Sequence, residues 1–545
     1  PALRPPGPPW YHPPHVLAPP ARMTVHNVPG AAAAAVPADY AAEDKQGVGR
    51  KVVVSSAFMV AGRFTIRCIG IASSLILVRL LLPEDFGLVG LAATVITIAE
   101  VLSQMSIGMA VVRHPRADRA LYDTAWTLNL LRCLLLGGLV AGTASWEAAL
   151  RGDPRIGPIA RVVGLIIGRG GLASAGLYRL QRELRFVQIF RYEVAAKLVA
   201  FTITIALAVL LQNYWCLVLG NLAARFLYVP YGYWLAPHRP RPCLAAWREL
   251  LHFSKWMLAS NACSAIEGQA ANLSIGRIAG LPALGMWQIS WQIAAVPVTE
   301  LAVPIRGPIY AGYARVQHDA ALLRRHFLAG FGLLAAVTVP LSVGIALVAP
   351  EIERIALGPA FAGAAPLIAL CALYALVDAL AHFTFNLFIV LGAQRRMVAV
   401  HGVLVLLRVP AVVAGALLAG AAGAGIALVA TALFGFAAWH WQMARLLGYG
   451  VSDLLAVLWR SLVAAAVMAG ALLLLRGVLP PQNTGILDAA ITLAGLAGCG
   501  AAAHLGTQML LWQVGGRPEG AERHILGWAA KLFGRLRSRQ PAIPH

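Results

Sequence analysis

Two arginines, Arg63 and Arg67, interrupt a segment from Ser56 to Leu81 that otherwise has the composition of a membrane helix. Residues four apart lie on one face of a helix, so these like charges repel each other. Each charge near the centre of a membrane span costs about 2.5–3.5 kcal/mol. Both are tolerated only with a hydrated cavity, acidic partners or an anionic ligand, because Arg67 lies too near the centre to snorkel easily. Guanidinium groups match phosphate oxygens with paired hydrogen bonds, so phosphate or diphosphate is the predicted ligand.

Further cations lie within apolar segments of the first half of the chain. With the two arginines they form the cationic candidates for substrate binding: Arg63, Arg67, Arg132, Arg169, Lys197 and Arg225. Glu100 and Glu193 lie in apolar segments of the same half and could neutralise some of these charges. For each cation taken alone, a structural ion pair and a ligand contact both remain open.

The second half carries a polar stripe beside Glu267. Its members are spaced as on one helix face: Asn261, Ser264, Gly268 and Asn272. The stripe predicts contacts with sugar hydroxyls or with a coupling ion, and Asn261 and Asn272 are substrate-binding candidates. The alternative is hydrogen bonding between helices, which needs no ligand. Carboxylates within apolar segments are the candidates for ion coupling: Glu100, Glu193, Glu267, Glu300 and Asp378. Arg306 and Arg408 are the cations of later segments.

The elements that position these residues are predicted from composition. Of 545 residues, 59% are hydrophobic and 12% charged, against about 25% charged in soluble domains. Apolar runs long enough to cross ~30 Å of hydrocarbon recur along the chain. They are continuous rather than alternating, which predicts an all-α polytopic membrane protein and excludes a β-barrel. About fourteen transmembrane helices are predicted, near residues 53–81, 86–112, 122–145, 157–179, 189–211, 214–236, 255–279, 283–310, 327–349, 362–391, 396–418, 421–443, 455–476 and 486–512.

The distribution of basic residues predicts the orientation of the chain. A net charge of +21 would suggest nucleic acid binding in a soluble protein, but Lys and Arg are concentrated here in alternate connections between spans. The connection after the second span holds Arg113, Arg116 and Arg119, whereas LLPEDFG after the first span holds no cation. By the positive-inside rule, both termini and the connections after even-numbered spans are predicted to be cytoplasmic.

Catalytic signatures are missing from the sequence. The outer connections are too short to hold catalytic acids over the bilayer, which argues against a glycosyltransferase or polymerase. No Walker loop, HExxH or GxSxG motif is present. The seven cysteines form no CxxC pair, so we expect neither a metal nor a cofactor.

An internal repeat predicts how the spans are grouped. Four positions match residues displaced by 198: Met59, Gly70, Arg79 and Gly87 match Met257, Gly268, Arg277 and Gly285. The repeat predicts two pseudo-symmetric six-helix lobes, residues 51–240 and 241–446, related by an axis along the membrane normal. Two additional transmembrane helices follow in residues 447–512. Arg79 and Arg277, at span ends, are interpreted as anchors at the membrane interface.

The two ends of the chain have different compositions. Residues 1–50 are rich in Pro and Ala and are predicted to be disordered, with Met23 as a candidate start. Residues 513–545 are predicted to form a basic amphipathic tail on the cytoplasmic face of the membrane.

Three stretches carry a resemblance to a known family. The first, VRLLLPEDFGLVGLAATVITIAEVLSQMSIGMAVVRHP, resembles the opening of Wzx-type polysaccharide exporters, in the multidrug/oligosaccharidyl-lipid/polysaccharide flippase superfamily. RELRFVQIFRYEVAAK is similar to the R-x-L-x-F segment of that family. ELLHFSKWMLASNACSAIEGQAANLSIGRIAGLPALGMWQIS is similar to the opening of its second lobe. The resemblance covers about residues 50 to 445.

The resemblance implies a flippase in the bacterial inner membrane. Its substrate would be an oligosaccharide on undecaprenyl diphosphate, moved from the inner to the outer leaflet for exopolysaccharide, O-antigen or capsule biosynthesis. Two lobes would alternate around a cationic cavity, where Arg63 and Arg67 offset the diphosphate charge. Polysaccharide polymerase or export machinery is the implied partner. Members often carry Asp at the position of Asn272, and this departure puts in doubt an ion bound there.

Alternatives remain open at this stage. A multidrug antiporter of the same fold would favour carboxylates for organic cations, whereas the first span here is cationic. A peptidoglycan-precursor flippase also fits the fold. A membrane polysaccharide polymerase or glycosyltransferase fits less well because the outer connections are short.

Overall fold

The computed structural model describes residues 62, 65–103, 111, 118–151, 153–183, 185–247, 255–316, 318–478 and 485–516. Several subjects of the sequence predictions lie outside these residues: Met59, Arg63, Arg113, Arg116, the segment 1–50 and the tail beyond residue 516. The side chains of Glu100 and Glu300 are likewise not described, although both residues lie within helices.

The described residues form helices joined by short connections, and they include no strand. The helices are α1 (65–80), α2 (Pro83–Ser103), α3 (Arg119–Arg151), α4 (Ile156–Gly170), α5 (Gly176–Arg182), α6 (Phe186–Leu211), α7 (Trp215–Leu235), α8 (Lys255–Ile278), α9 (Leu281–Val316), α10 (Ala320–Leu347), α11 (Ala365–Ala381), α12 (Phe385–Val390), α13 (Gln394–Leu447), α14 (Val451–Val478) and α15 (Ile486–Val514). Short helical turns connect α10 to α11: Ala349–Ile352, Glu353–Leu357 and Pro359–Phe361. A single 3₁₀ turn, His382–Thr384, joins α11 to α12.

Seven helical segments within the described residues are long and apolar enough to cross a membrane. They are Arg119–Ala149, Val187–Leu211, Ala320–Leu347, Ala365–Val390, Gln394–Leu447, Val451–Val478 and Leu487–Val514. The chain is therefore an all-helical, multi-pass membrane protein, as its composition predicts. Helical residues lie in each of the fourteen predicted segments. The number of membrane crossings and the grouping into two lobes remain predictions.

Helix α13 is two antiparallel segments joined by a sharp break. A straight helix of its 54 residues would be about 80 Å long, more than twice the thickness of the hydrocarbon core. The break lies at Ala419 and Gly420, and Gly420 adopts φ 57° and ψ −139°, a conformation that favours glycine. A Cβ atom on Gly415 would lie 2.3 Å from the carbonyl oxygen of Gly423, so the chain reverses between them. The break falls between the predicted spans 396–418 and 421–443.

Helices α2 and α9 cross with their backbones in contact. A Cβ atom on Gly87 would lie 1.9 Å from the carbonyl oxygen of Leu281, and one on Gly285 would lie 1.7 Å from that of Pro83. Glycine is required at both positions because any side chain would overlap the opposing backbone. Gly87 and Gly285 are also a matched pair of the predicted 198-residue repeat, so two positions that the repeat matches meet at this crossing.

Two further contacts join the halves beside this crossing. Arg79 Nη2 donates a hydrogen bond of 2.6 Å to the carbonyl oxygen of Ile355. The rings of Phe86 and Phe361 pack edge to face, with centroids 5.8 Å apart. We call this region, with the Gly87–Gly285 contact, the crossing end of the bundle. Arg79 is thus held by the chain between α10 and α11, in addition to any contact with lipid.

The core of the second half packs α8 and α11 against α13, and α9 against α11. Ile275, Ile368 and Ala424 are among its fully buried members. Helices α14 and α15 pack on each other, and α14 also packs on α10. Two ion pairs hold α14 to the bundle: Arg324 to Asp453, and Arg476 to Glu351.

Candidate functional site

Polar residues gather in a cavity of about 620 Å³ bounded by α2, α8, α9, α11 and α13. Helix α2 belongs to the first half of the chain and the other four helices to the second. The cavity begins about one turn beyond the glycine crossing, since Gly90 and Gln288 both line it. Its polar lining within the described residues includes Thr94, Thr97, Ser264, Glu267, Gln269, Asn272, Gln288, Asp378, His382 and Arg408.

Glu267 on α8 is the centre of a buried charged cluster. Its carboxylate lies 3.2 Å from His401 Nδ1 and 3.6 Å from Arg408 Nη1, both on α13. All three side chains are 3% exposed or less. Arg408 Nη1 also donates a hydrogen bond of 3.1 Å to the Tyr374 hydroxyl on α11. Because burying a lone carboxylate is very unfavourable, these two basic partners allow Glu267 to remain in the bundle.

The cluster retains hydrogen-bonding capacity. Among the described residues, His401 Nε2 and Arg408 Nε are buried without a hydrogen-bond partner. A buried donor or acceptor left unsatisfied costs about 1–3 kcal/mol. The cluster is therefore poised to gain stability from water or from a small polar ligand.

A second acidic group, Asp378, lies at the end of α11. Its Oδ1 atom is 3.4 Å from His382 Nδ1, which also lies 3.1 Å from the Asp378 carbonyl oxygen. The His382 ring lies 6.0 Å from the His401 ring. The two carboxylates, Glu267 and Asp378, thus each contact one of two neighbouring imidazoles.

The wall formed by α9 is aromatic and uncharged. Trp287 is buried, and Trp291, one turn further along, contacts the Tyr374 ring at 5.5 Å between centroids. Gln288 lies between the two tryptophans in sequence. On α8, opposite, Asn272 Nδ2 donates a hydrogen bond of 2.7 Å to Gln269 Oε1. The α9 wall and the α8 residues opposite it thus offer ring faces and amides rather than ionic groups.

The described lining is close to electrically neutral. Its charged members are two carboxylates, Glu267 and Asp378, and one guanidinium, Arg408, and His382 adds positive charge only when protonated. The lining therefore resembles neither a strongly cationic site for diphosphate nor an uncompensated acidic site for organic cations.

The first-half cationic candidates that the structure describes lie elsewhere. Arg67 on α1 is exposed and lies close enough to Lys197 on α6 for their charges to repel. Neither side chain lines the 620 Å³ cavity. The fold brings these two cations near each other from positions 130 residues apart. The sequence marks each of them as a candidate but does not predict that they are neighbours.

Three further cationic candidates lie beside other protein groups. Arg132 Nη2 donates a hydrogen bond of 2.7 Å to Asn129 Oδ1. The Arg169 guanidinium stacks on the Phe226 ring at 3.8 Å. Arg225 is exposed on α7 and, like Glu193 on α6, lies near Tyr192.

The stripe on α8 is divided by the structure. Ser264, Glu267, Gly268 and Asn272 line the cavity, while Asn261 is half-buried outside its lining. The aromatic and imidazole members of the site were not predicted from the sequence: Trp287, Trp291, Tyr374, His382 and His401. One available signal was His401, which lies seven residues before Arg408 and so on the same helical face within an apolar run.

Comparison with known proteins identifies related sequences. The sequence profile of the family described as polysaccharide biosynthesis protein matches residues 76–366. The lipopolysaccharide biosynthesis protein WzxC of Escherichia coli K12 is 24% identical over 372 residues, covering 65% of this chain and 73% of WzxC. The succinoglycan biosynthesis transport protein ExoT of Rhizobium meliloti is 22% identical over 55% of this chain. That match spans about three fifths of ExoT, at 61%. These matches confirm the resemblance seen in the sequence.

Solved structures share the fold. The lipid II flippase MurJ, in an inward closed conformation, superposes with a TM-score of 0.69 at 12% identity, covering 85% of this chain and 99% of MurJ. A multidrug resistance MATE family transporter in an inward-facing conformation gives 0.53 at 15% identity, covering 70% of this chain and 94% of that one. At these identities the likeness establishes the fold alone, and that fold is one used by transporters.

Proposed function

Because the chain belongs to the polysaccharide biosynthesis protein family, we propose that it moves an oligosaccharide linked to undecaprenyl diphosphate across the bacterial inner membrane. The movement is from the inner to the outer leaflet, and the saccharide enters exopolysaccharide, O-antigen or capsule biosynthesis. The observation that carries the proposal is the polar cavity, walled by α2 from one half and by four helices of the other inside an apolar bundle. Such a cavity gives the hydrophilic diphosphate and saccharide a polar path across the membrane, which the hydrocarbon core does not offer.

Alternating access gives the crossing end its role. In the described conformation, the Gly87–Gly285 contact and the Arg79 hydrogen bond join the two halves on one side of the cavity. Transport requires this end to separate while the halves approach elsewhere. The polyprenyl chain remains in lipid throughout, because burying it in a polar cavity would forfeit its hydrophobic stabilisation.

We propose that Arg67 and Lys197, with Arg63, receive the diphosphate. Two neighbouring cations repel each other in the empty protein, and an anion between them converts that repulsion into attraction. The guanidinium group of Arg67 adds paired hydrogen bonds to phosphate oxygens.

Glu267 and Asp378 remain our candidates for ion coupling. Both line the cavity, and each contacts an imidazole: Glu267 contacts His401 and Asp378 contacts His382. Glu193 is exposed outside the cavity, which makes it a weaker candidate than these two.

A multidrug antiporter is the alternative within this fold. An organic cation is best stabilised by a carboxylate that has no competing protein cation. Glu267 instead has two basic partners, which favours a hydroxylated substrate over a cationic drug.

We place the termini in the cytoplasm on the distribution of basic residues. The saccharide would then be delivered to the outer leaflet, where a polymerase or export complex is the proposed consumer. The nature of that partner follows from the product, which is a lipid-linked oligosaccharide awaiting polymerisation or transfer.

The first test is complementation of a bacterium that lacks its own lipid-linked oligosaccharide flippase. Wild type is expected to restore surface polysaccharide, and the double variant Arg67→Ala/Lys197→Ala is expected to lower it at least tenfold at equal membrane abundance. Arg445→Ala is the matched control, because Arg445 is an exposed cation that stacks on Trp441 instead. Equal restoration of surface polysaccharide by the double variant would show that neither cation is needed to bind the substrate. Restoration of drug resistance without polysaccharide would favour the antiporter.

A further inference from the structure

We infer that the α9 wall of the cavity, formed by Trp287, Gln288 and Trp291, is a saccharide-binding subsite. The inference rests on the proposed function and adds to it the part of the substrate that this cavity recognises. The diphosphate and the sugar would be bound by different halves of the chain, the first by Arg67 and Lys197 and the second by this wall.

The surfaces of the wall match the chemistry of a sugar ring. A pyranose presents a face of C–H groups and a rim of hydroxyl groups. Trp291 and Tyr374 offer ring faces, and Gln288, Asn272 and Gln269 offer amide groups that both donate and accept hydrogen bonds. Small-molecule sites combine aromatic surface with a few convergent polar groups in cavities of about 300–1,000 Å³, a range that includes this one.

The electrostatics of the cavity favour the same class of ligand. Glu267 is partnered by His401 and Arg408, and Asp378 by His382. A neutral, hydroxylated group can hydrogen-bond to such groups without adding an uncompensated charge to the low-dielectric interior. A diphosphate placed here would instead face two carboxylates.

The first half of the chain shapes this wall. A Cβ atom on Gly90 of α2 would lie 2.9 Å from the Gln288 side chain. The bare backbone at Gly90 leaves space in which the Gln288 side chain packs. Because α2 moves relative to α9 in any alternating-access cycle, the position of Gln288 would change with the conformation, and so would its ability to bind a hydroxyl group.

The test compares lipids with and without a sugar on the full chain in lipid nanodiscs. The probes are undecaprenyl diphosphate and the same lipid carrying one glucose, galactose or N-acetylglucosamine residue. We expect at least one glycosylated lipid to bind wild type ten times more tightly than the bare lipid. Trp291→Leu is expected to reduce the ratio of the two affinities, glycosylated lipid to bare lipid, to within twofold while leaving affinity for the bare lipid unchanged. Trp291→Phe, which keeps a ring face, is expected to retain most of the ratio.

The control variant is Trp441→Leu, since Trp441 is exposed on α13 and outside the cavity lining. It is expected to keep the full ratio. If Trp291→Leu fails to fold, as judged by its elution profile and Tm, Gln288→Leu replaces it with the same expected loss.

The outcomes separate this inference from the proposed function. An unchanged ratio in Trp291→Leu overturns the subsite. Equal affinity of wild type for all four lipids also overturns it, while leaving lipid diphosphate as a substrate. Binding of no lipid by wild type overturns the proposed function, and the subsite with it.

Discussion

At the scale of single residues, the least expected feature is a carboxylate held deep in a membrane protein by two basic groups on one helix. His401 and Arg408 are two turns apart on α13 and both face Glu267. A pair of buried opposite charges is weak evidence for net stability, but removing one member strongly destabilises a protein because the other is left uncompensated. The effect of removing one member of the cluster on the stability of the protein can therefore be predicted without reference to the substrate.

Arg408→Met is expected to destabilise the protein by about 3–5 kcal/mol, because Glu267 loses its cation while remaining buried. The double variant Glu267→Gln/Arg408→Met is expected to recover much of that loss, since no unpaired charge remains. Apparent Tm in detergent measures both. Arg445→Met, a change to an exposed arginine, is the matched control and is expected to shift Tm little. A double variant no more stable than the single one would contradict the assigned ion pair.

The same cluster illustrates what could not be predicted from the sequence at this scale. Glu267, Asp378 and Asn272 were identified because polar groups within apolar runs are conspicuous in a sequence. Their partners were not identified, because Glu267 and His401 are 134 residues apart and helical periodicity does not specify which helices become neighbours. A tryptophan in an apolar segment is unremarkable by composition, so Trp287 and Trp291 gave no signal either.

At the scale of helices, local sequence predicted more. Among the described residues, helical residues lie in every segment predicted to be a span, and the break in α13 falls between two predicted segments, because apolar length and glycine both act locally. The position of the cationic residues was harder to predict. Spacing on α1 places Arg67 on a face, but only packing determines which cavity that face lines, and it does not line the one described here.

The crossing of α2 and α9 carries a prediction at this scale. Gly285→Ala would place a Cβ atom 1.7 Å from the Pro83 carbonyl oxygen, so the helices must separate at that point. We expect a destabilisation of about 1–3 kcal/mol, typical of overpacking, and a loss of complementation. Gly138→Ala on α3 and Gly470→Ala on α14 are matched controls, because nothing lies within 4 Å of a Cβ there. Full stability and activity of Gly285→Ala would contradict the close contact.

At the scale of the whole molecule, the glycine contact between the two halves lies next to the polar cavity. Equivalent glycines of the two halves meet at the crossing end, and the cavity lies about one turn beyond them. A transporter that alternates between two accessible sides must break contacts at one end to form them at the other. The crossing end is therefore where the proposed cycle can be stopped.

Joining the halves at the crossing end tests this cycle. Phe86→Cys/Phe361→Cys, treated with a short thiol cross-linker, is expected to abolish flipping of fluorescent undecaprenyl-diphosphate sugar in proteoliposomes. The background replaces the exposed Cys68 and Cys499 with Ser to limit other reactions. Each single-cysteine variant, treated in the same way, is expected to remain active. Undiminished activity in the cross-linked protein would exclude separation at this end.

The backbone contact of Gly87 and Gly285 also has a mechanical consequence. Interdigitated side chains must withdraw from one another before two helices can separate, whereas two bare backbones part without that step. Helix α2 has 21 residues and is about 31 Å long, with the glycine contact near one tip. A tilt of about 10° around the opposite tip would displace the tip at the glycine contact by about 5 Å, roughly the pitch of one helical turn. The small size of two residues would thus let a slight rotation open a gap wide enough for a sugar ring.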